Sequence, residues 1–318
     1  MNDSRPLAPA DPFQKALILS GPTASGKTAL ALELAERMNA EIIAMDSMTL
    51  YRGMDIGTAK PTLDERKRIP HHLIDVLDPW ESGNVGWWIE QAAKSCADIE
   101  KRGKLPLFVG GTPLYLKALL FGLFDGPPAD PEIRRQLEVE AEQMGVEAFH
   151  DRLVAVDPVT GKRLHPNDVR RVVRALEVWQ LTGKPISAWQ QQDWWGGPEN
   201  STHAEEFPRC LIIELPREEL YARINRRVET MFEMGWVEEV RRLQGLPHPL
   251  SKEALQALGY REISAFLAGT CDRRTTVEQI QTRSRQFAKR QLTWFRHLPK
   301  CRICEGKLTF DLWRRKMT

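Results

Sequence analysis

The sequence predicts an α/β fold in which a doubly wound parallel sheet is interrupted by a helical insertion. Three observations predict it. First, short apolar runs at 16–19, 41–45, 105–109 and 210–215 alternate with segments of helical periodicity, the order of parallel strands joined by crossovers. Second, the opening run leads through a glycine-rich turn, Gly21-Pro-Thr-Ala-Ser-Gly-Lys-Thr28, into a helical pattern. Third, Pro127-Pro128-Ala-Asp-Pro131 breaks the alternation, and helical patterns without a strand follow until the apolar run at Cys210. These transitions set a lead-in over 1–13, expected to be disordered, a core over 14–126 and 205–318, and an insertion over 127–204.

The spacing Gly21-x-x-x-x-Gly26-Lys27-Thr28 is the P-loop pattern, so the core is expected to be P-loop NTPase-like. Gly21 and Gly26 let the backbone curl and aim its N–H groups at phosphate oxygens. The helix that follows, with Leu30, Leu32, Leu34, Ala35 and Met38 on its apolar side, adds its positive end. Lys27 supplies a mobile charge, and the Thr28 hydroxyl is a Mg²⁺ ligand of the right kind. The loop therefore specifies a pyrophosphate-bearing ligand, without specifying a nucleoside triphosphate.

The strand at 41–45 ends on Asp46-Ser47, at the sheet edge where ligands bind. Tyr51-Arg-Gly-Met-Asp-Ile-Gly-Thr-Ala-Lys-Pro61 has no periodicity and reads as a functional loop. A strand is expected over 70–77, then a helix over 85–101 with Trp88, Ala92, Cys96 and Ile99 inward. The strand at 105–109 runs into Gly110-Gly111-Thr112, which should face the same crevice as Asp46.

In the insertion, helices are expected over 131–144, 146–156 and 168–182, carrying Arg134, Arg135, Arg170, Arg171 and Arg174. A linker is expected over 189–208. Beyond the strand at 210–215, one long amphipathic helix is expected over 218–243. Its apolar stripe is Leu220, Ile224, Val228, Met231 and Phe232, and its basic side is Arg223, Arg226 and Arg227. A helix holding Leu255 and Leu258 up to the turn Gly259-Tyr260-Arg261 and a basic helix over 276–296 complete the chain.

Composition narrows the setting. The 318 residues are 42% hydrophobic and 28% charged, the balance of a soluble globular protein. Net charge is only +2, yet residues 281–318 carry 11 Lys/Arg against 2 Asp/Glu, which points to a polyanionic partner. No apolar run is long enough to span a bilayer, and the polar opening segment has no signal-peptide core. Five scattered cysteines do not form a disulfide framework, so a reducing cytoplasm is expected. Cys301-x-x-Cys304, with no second pair, reads as structural rather than zinc-binding.

A P-loop ordinarily serves ATP or GTP, with an acid at a strand end holding Mg²⁺. The strand at 105–109 offers Gly110-Gly111-Thr112 there instead, and the strand-end acid nearest in sequence is Asp46. Asp46 has the chemistry of a general base, and equally of a metal ligand or a helix cap. The chemistry alone leaves open a kinase, with Arg134 and Arg135 as its lid, and another transferase acting on a pyrophosphate donor. A non-catalytic RNA-binding module is a third possibility, one that would not need Asp46.

Several motifs taken together resemble the bacterial tRNA dimethylallyltransferases, also called tRNA isopentenyltransferases. They are the loop from Gly21 to Thr28, Asp46-Ser-Met48, Tyr51 to Pro61 as quoted above, Pro70-His-His-Leu-Ile-Asp75, and Val109-Gly-Gly-Thr112 with Leu114-Tyr115. His165-Pro-Asn-Asp168, Arg174-Ala-Leu-Glu177, Thr182-Gly-Lys184, Leu258-Gly-Tyr-Arg261, Arg285-Gln286 and Ala288-Lys-Arg-Gln-Leu-Thr-Trp294 complete the set. The resemblance spans about residues 16–296. Thr49, where many members carry Gln, Pro113 and Trp87-Trp88 depart from the common pattern.

The resemblance implies transfer of a dimethylallyl group from dimethylallyl diphosphate to N6 of the adenosine just 3′ of the anticodon. The substrates implied are tRNAs that read codons starting with U, bound at the anticodon stem-loop; Mg²⁺ is the implied cofactor and a monomer the implied state. It implies Asp46 as the base and Thr112 as a hydrogen-bonding group at the reacting centre. Gly21, Thr23, Ala24, Ser25, Gly26, Lys27, Thr28 and Arg227 are implied to hold diphosphate, with Thr28 on the metal. Contacts to tRNA are implied for Asp46, Ser47, Met48, Thr49, Thr112, Arg134, Arg170, Arg171, Val172, Val173, Arg174, Gln256, Gly259, Tyr260, Arg261, Arg283, Gln286 and Lys289.

Overall fold

The structure is a computed structural model that describes residues 11–123, 126–189, 209–304 and 313. The first ten residues of the expected lead-in, and 190–208 of the expected linker, lie outside them. The chain separates into two compact units, one comprising 1–121 and 201–318 and the other 122–200.

The first unit is built on β1 (Leu17–Ser20), α1 (Lys27–Arg37), β2 (Ala40–Ala44), α2 (Leu63–Arg68), β3 (His71–His72), α3 (Val85–Lys101), β4 (Leu105–Gly110) and α4 (Pro113–Phe121). The second contains α5 (Pro131–Met144), α6 (Val146–Val156), α7 (Pro158–Arg163), α8 (Val169–Thr182) and α9 (Ile186–Trp189). The first resumes with β5 (Cys210–Ile213), α10 (Arg217–Glu233), α11 (Trp236–Gln244), α12 (Tyr260–Leu267), α13 (Arg273–Arg296) and β6 (Cys301–Cys304).

All strand pairings are parallel, in the order β3-β2-β4-β1-β5-β6. The central strands β1, β2 and β5 are buried along their length, as a parallel sheet requires, while the edge strands β3 and β6 are partly open to solvent. Their alternation sends Leu17, Leu19, Ile42, Leu107, Leu211 and Ile213 to one face, where Ala31, Leu32, Leu34 and Ala35 of α1 meet them. It sends Ile18, Ile43, Phe108, Cys210 and Ile212 to the other, against Trp88, Ala92, Cys96 and Ile99 of α3. This layering carries the C-terminal ends of β1, β2 and β4 to one edge. The second unit has its own core of Leu137, Phe149, Leu153, Val172, Val173, Leu176 and Val178.

Three expected elements take another form. The strand over 70–77 is reduced to His71 and His72, because Leu73 and Asp75 turn left-handed at φ 59° and 56°. Asp75 is drawn there by Lys60 at 2.6 Å and Arg66 at 2.6 Å, which fasten it to the loop below. The helix over 218–243 is two helices, turned at Gly235 with φ 96°. The expected helix around Leu255 is a single 3-10 turn over Ala254–Gln256, and α12 begins where that helix was expected to end. Cys301 and Cys304 lie on β6, paired in register with β5.

The break at Gly235 gives α11 the direction in which its buried acid serves the 51–61 loop. Glu239, only 3% exposed, accepts the backbone N–H groups of Asp55 at 2.8 Å, Ile56 at 2.7 Å and Gly57 at 3.2 Å, and the Tyr260 hydroxyl at 2.7 Å. Lys60 ties the same loop to itself through the Tyr51 carbonyl and Asp55. Glu239→Ala strands four donors and should cost about 3 kcal/mol in urea unfolding, with faster amide exchange at Asp55–Gly57; Glu239→Gln should cost less. An unchanged midpoint and unchanged exchange would remove Glu239 as the anchor of the loop.

Candidate active site

The P-loop occupies the turn from β1 into α1. Ala24 and Gly26 take left-handed φ of 62° and 90°, which turns successive N–H groups inward. The Lys27 ammonium folds over this turn and donates to the Pro22 carbonyl at 2.7 Å. The Ser25 hydroxyl is buried with no hydrogen-bond partner among the described residues, as expected of a group that faces a ligand oxygen.

Lys27 is not alone. Burial, and then the charge of Arg227, pull its pKa down to about 7, and Asp46 pulls the other way. Arg227, from α10, is half-buried like Lys27; desolvation lowers its pKa and Asp46 opposes the fall. Two partly desolvated cations thus share a space with one carboxylate, a positive surplus that an anion relieves. On the same face of α10, a groove of about 520 Å³ is lined by Arg223, Arg226 and Arg227. Arg223 pairs with Glu219 at 2.7 Å, and its guanidinium lies 3.5 Å from where a Cβ on Gly26 would stand.

Asp46 follows β2 and is half-buried. Its Oδ1 accepts the N–H groups of Met48 at 2.8 Å and Thr49 at 3.3 Å, which fixes the carboxylate plane. Oδ2 has no hydrogen-bond partner among the described residues. The Thr112 hydroxyl accepts the Ser47 N–H at 3.1 Å, and the Thr112 N–H donates to the Met45 carbonyl at 3.3 Å. The Thr112 O–H proton remains free to donate. This joining of the ends of β2 and β4 requires Gly110, because a Cβ there would sit 1.9 Å from the Met45 carbonyl oxygen. β4 is the sheet neighbour of β1. The position where a nucleotide kinase would keep its acid therefore holds Gly110 and Gly111, and the acid of the crevice is Asp46, one strand further.

Residues singled out for tRNA fall into two groups. Arg170, Arg171, Gln256, Arg261, Arg283, Gln286 and Lys289 are exposed. Arg261, Thr282, Arg283 and Gln286 line an open groove of about 590 Å³ between α12 and α13. Arg283 pairs with Glu262, and Arg171 pairs with Asp168 at 2.9 Å. Others point inward. Val172, Val173, Tyr260 and Thr49 are 0%, 4%, 2% and 6% exposed, so their side chains are occupied by packing rather than turned outward. Val172 and Val173 belong to the core of the second unit, and Tyr260 bonds Glu239. Arg134 and Arg174 bond the fully buried Glu177 at 2.9 and 2.7 Å, and Arg174 also bonds the Pro127 carbonyl at 2.7 Å. Sequence reasoning assigned no role to Glu177, Glu239 and Gln291, although Glu177 and Gln291 stand within the motifs that carry the resemblance. Each is a polar residue on the apolar stripe of its helix, which is the signal that would have found it.

Comparison with known proteins resolves the choice between readings. The IPP transferase profile matches residues 49–298, and the Isopentenyl transferase profile matches 14–76. The chain belongs to the IPP transferase family. Within it, the chain is 51% identical to a tRNA dimethylallyltransferase of Geobacter metallireducens over 282 residues, 88% of this chain and 89% of that protein. It is 47% identical to that of Shouchella clausii, over 88% of each chain. The crystal structure of a tRNA isopentenylpyrophosphate transferase from Bacillus halodurans matches with a TM-score of 0.64 at 38% identity, covering 96% of this chain and 93% of that one. A eukaryotic dimethylallyltransferase, described as acting on tRNA, matches with a TM-score of 0.73 at 27% identity, over 93% of this chain and 75% of that one. The family is one of transferases, and the kinase and binding-module readings fall away.

Prenyl transfer from a diphosphate generally uses a divalent metal. Among the described residues no cluster of three or more His, Cys, Asp or Glu could hold one unaided. The donors present are the Thr28 hydroxyl and the Asp46 carboxylate, hard oxygens that suit an ion ligated mainly by substrate phosphates and water.

A titration follows from Lys27. With a pKa of about 7 it is partly neutral in the free protein, and a bound anion raises that pKa. Binding of inorganic pyrophosphate should therefore take up a proton at pH 7.5. The Lys27 contribution to affinity is complete below pH 7 and falls as pH rises above it. Calorimetry in two buffers of different ionisation enthalpy measures the uptake. It should be lost in Lys27→Met beyond what pyrophosphate itself contributes; equal uptake in both proteins would contradict it.

Proposed function

We propose that the chain transfers a dimethylallyl group from dimethylallyl diphosphate to N6 of the adenosine immediately 3′ of the anticodon, in tRNAs that read codons starting with U. The products are N6-(dimethylallyl)adenosine and diphosphate. Family membership sets the reaction class. Support from the site comes from one arrangement: a carboxylate with one anchored and one free oxygen, beside two half-buried cations at a P-loop.

The steps follow from that arrangement. The target base is unstacked from its loop into the crevice, since an atom inside a stack cannot be reached. N6 attacks C1 of the dimethylallyl group, the C1–O bond breaks, and its electron pair leaves on the diphosphate. Lys27, Arg227 and the N–H groups around Ala24–Gly26 meet that charge as it grows. Mg²⁺, held through Thr28 and the phosphates, would neutralise part of it when bound. Oδ2 of Asp46 takes the N6 proton, and the Thr112 hydroxyl orients the amine. RNA phosphates are gripped by Arg170 and Arg171 of the insertion and by Arg261, Arg283, Gln286 and Lys289 of the core. Arg134 and Arg174, committed to Glu177, shape the insertion instead. The enzyme works in the cytoplasm, where tRNA is; among the described residues no helix is long and apolar enough to cross a membrane.

The deciding experiment incubates the protein with Mg²⁺, labelled dimethylallyl diphosphate and unmodified tRNA with adenosines 3′ of the anticodon, and no ATP. Label should enter the tRNA, and its absence would refute the assignment. Asp46→Ala should lower turnover by about 10²–10⁴ with little change in tRNA affinity; a matching loss of affinity would contradict the base role. Arg171→Ala should weaken tRNA binding and reduce its salt slope by about 1. Wild-type affinity and slope in that variant would free the insertion from this role.

A further inference from the structure

The proposed reaction needs the diphosphate cradle and the acceptor side of the crevice held at a fixed separation. These parts sit on different strands: the P-loop follows β1, and Thr112 follows β4. Backbone bonds of the sheet end at Ser20 and Gly110. Beyond them the two loops are joined by a side chain from neither strand. Gln291, on the inward side of α13 and 3% exposed, accepts the Thr23 N–H through Oε1 at 2.9 Å. Through Nε2 it donates to the Gly111 carbonyl at 2.7 Å. The two partners fix which end of the amide is which, since one can only donate and the other only accept.

We propose that Gln291 is a positioning residue for the transfer, one that sets the distance between the diphosphate cradle and the acceptor groups. A continuous path supports this. Thr23 belongs to the cradle beside Lys27. Gly111 precedes Thr112, whose hydroxyl accepts the Ser47 N–H, and Ser47 follows Asp46. One carboxamide therefore lies between the group that holds the leaving group and the groups that prepare the nucleophile. The packing leaves it no slack: a Cβ on Gly111 would stand 2.6 Å from Gln291 Nε2 and 3.0 Å from the Gly21 carbonyl oxygen. No other residue type of that length offers an acceptor and a donor without charge. Glutamate would set a negative oxygen against the Gly111 carbonyl, and methionine would leave both backbone groups unpaired. The same helix presents Arg283, Gln286 and Lys289 outward, so the rod that faces RNA on one side fixes the cradle on the other. Misplacement of reacting atoms by about 1 Å can cost on the order of 10²-fold in rate, so the effect belongs in kcat.

This inference rests on the reaction proposed above, and two variants test it with wild type in the same assay. Gln291→Met should still fold cooperatively, with a melting temperature lowered by about 5–10 °C for its two unpaired backbone groups, and keep its KM for tRNA within about threefold, while kcat at a temperature well below melting falls by about 10–100-fold. Gln291→Glu should be similarly slow at pH 8, and its rate relative to wild type should climb as pH falls toward 5.5. Protonation turns the introduced carboxyl into an acceptor for Thr23 and a donor for Gly111, a rescue that a merely space-filling role would not show. Overturning results are a kcat for Gln291→Met within threefold of wild type, a Gln291→Glu to wild-type ratio that does not change with pH, or loss of fold in both variants, which would assign Gln291 to folding alone. If wild type itself leaves tRNA unlabelled, the reaction assignment fails and this inference goes with it. If wild type is active, failure falls on Gln291 alone.

Discussion

The site depends on an electrostatic imbalance built into a buried place. Lys27 and Arg227 are both half-buried beside the P-loop, and Asp46 offsets only part of their charge. Holding two cations partly out of water without full compensation opposes their charged forms, and the central strands β1, β2 and β5, buried along their length, keep the place rigid. An arriving diphosphate removes the imbalance, and more so as the C–O bond breaks and negative charge gathers on the leaving oxygen. In the reaction proposed above, that imbalance would favour the transition state. The surplus charge resides in preorganised groups, so little reorganisation accompanies the reaction.

The sheet order explains how the Asp46 carboxylate comes near that charge without joining it. β4 lies between β1 and β2, and its exit consists of glycines. A side chain at Gly110 would collide with the Met45 carbonyl, so the end of β2 closes tightly on the end of β4 and delivers Asp46 to the crevice edge. In nucleotide-hydrolysing P-loop proteins that neighbouring strand presents a metal-binding acid. Here the strand-end acid, Asp46, stands one strand further, after β2. That displacement converts an anion cradle into a site with separate donor and acceptor sides.

Much of this was legible in the residues. The P-loop spacing, Asp46 at a strand end and Gly110-Gly111-Thr112 at another were found from pattern alone, and the helices at 85–101, 131–144 and 146–156 have the expected bounds. These features are local: a phosphate loop or an amphipathic helix is specified by residues within a turn or two of each other. The misreadings were of another kind. Leu73 and Asp75 sit in a run that looks like a strand, but ion pairs from Lys60 and Arg66 bend it away. The stripe from Leu220 to Leu243 continues through a left-handed glycine because both halves bury the same kind of face. Val172, Val173 and Tyr260 flank exposed arginines in sequence while their side chains turn to the core.

By itself, then, the sequence determined the layered α/β plan, the P-loop spacing and an acid, Asp46, at a strand end, since each is written in neighbouring residues or in a spacing. Only the tertiary structure decided how far the two sides of the crevice stand apart, which arginines are committed to Glu177, and that Glu239 and Gln291 hold loops they never adjoin in the chain. Thr23 and Gln291 are 268 positions apart. A hydrogen bond between such residues leaves no periodicity for a reader to detect; it exists because packing brings a buried amide to two backbone groups that need a partner.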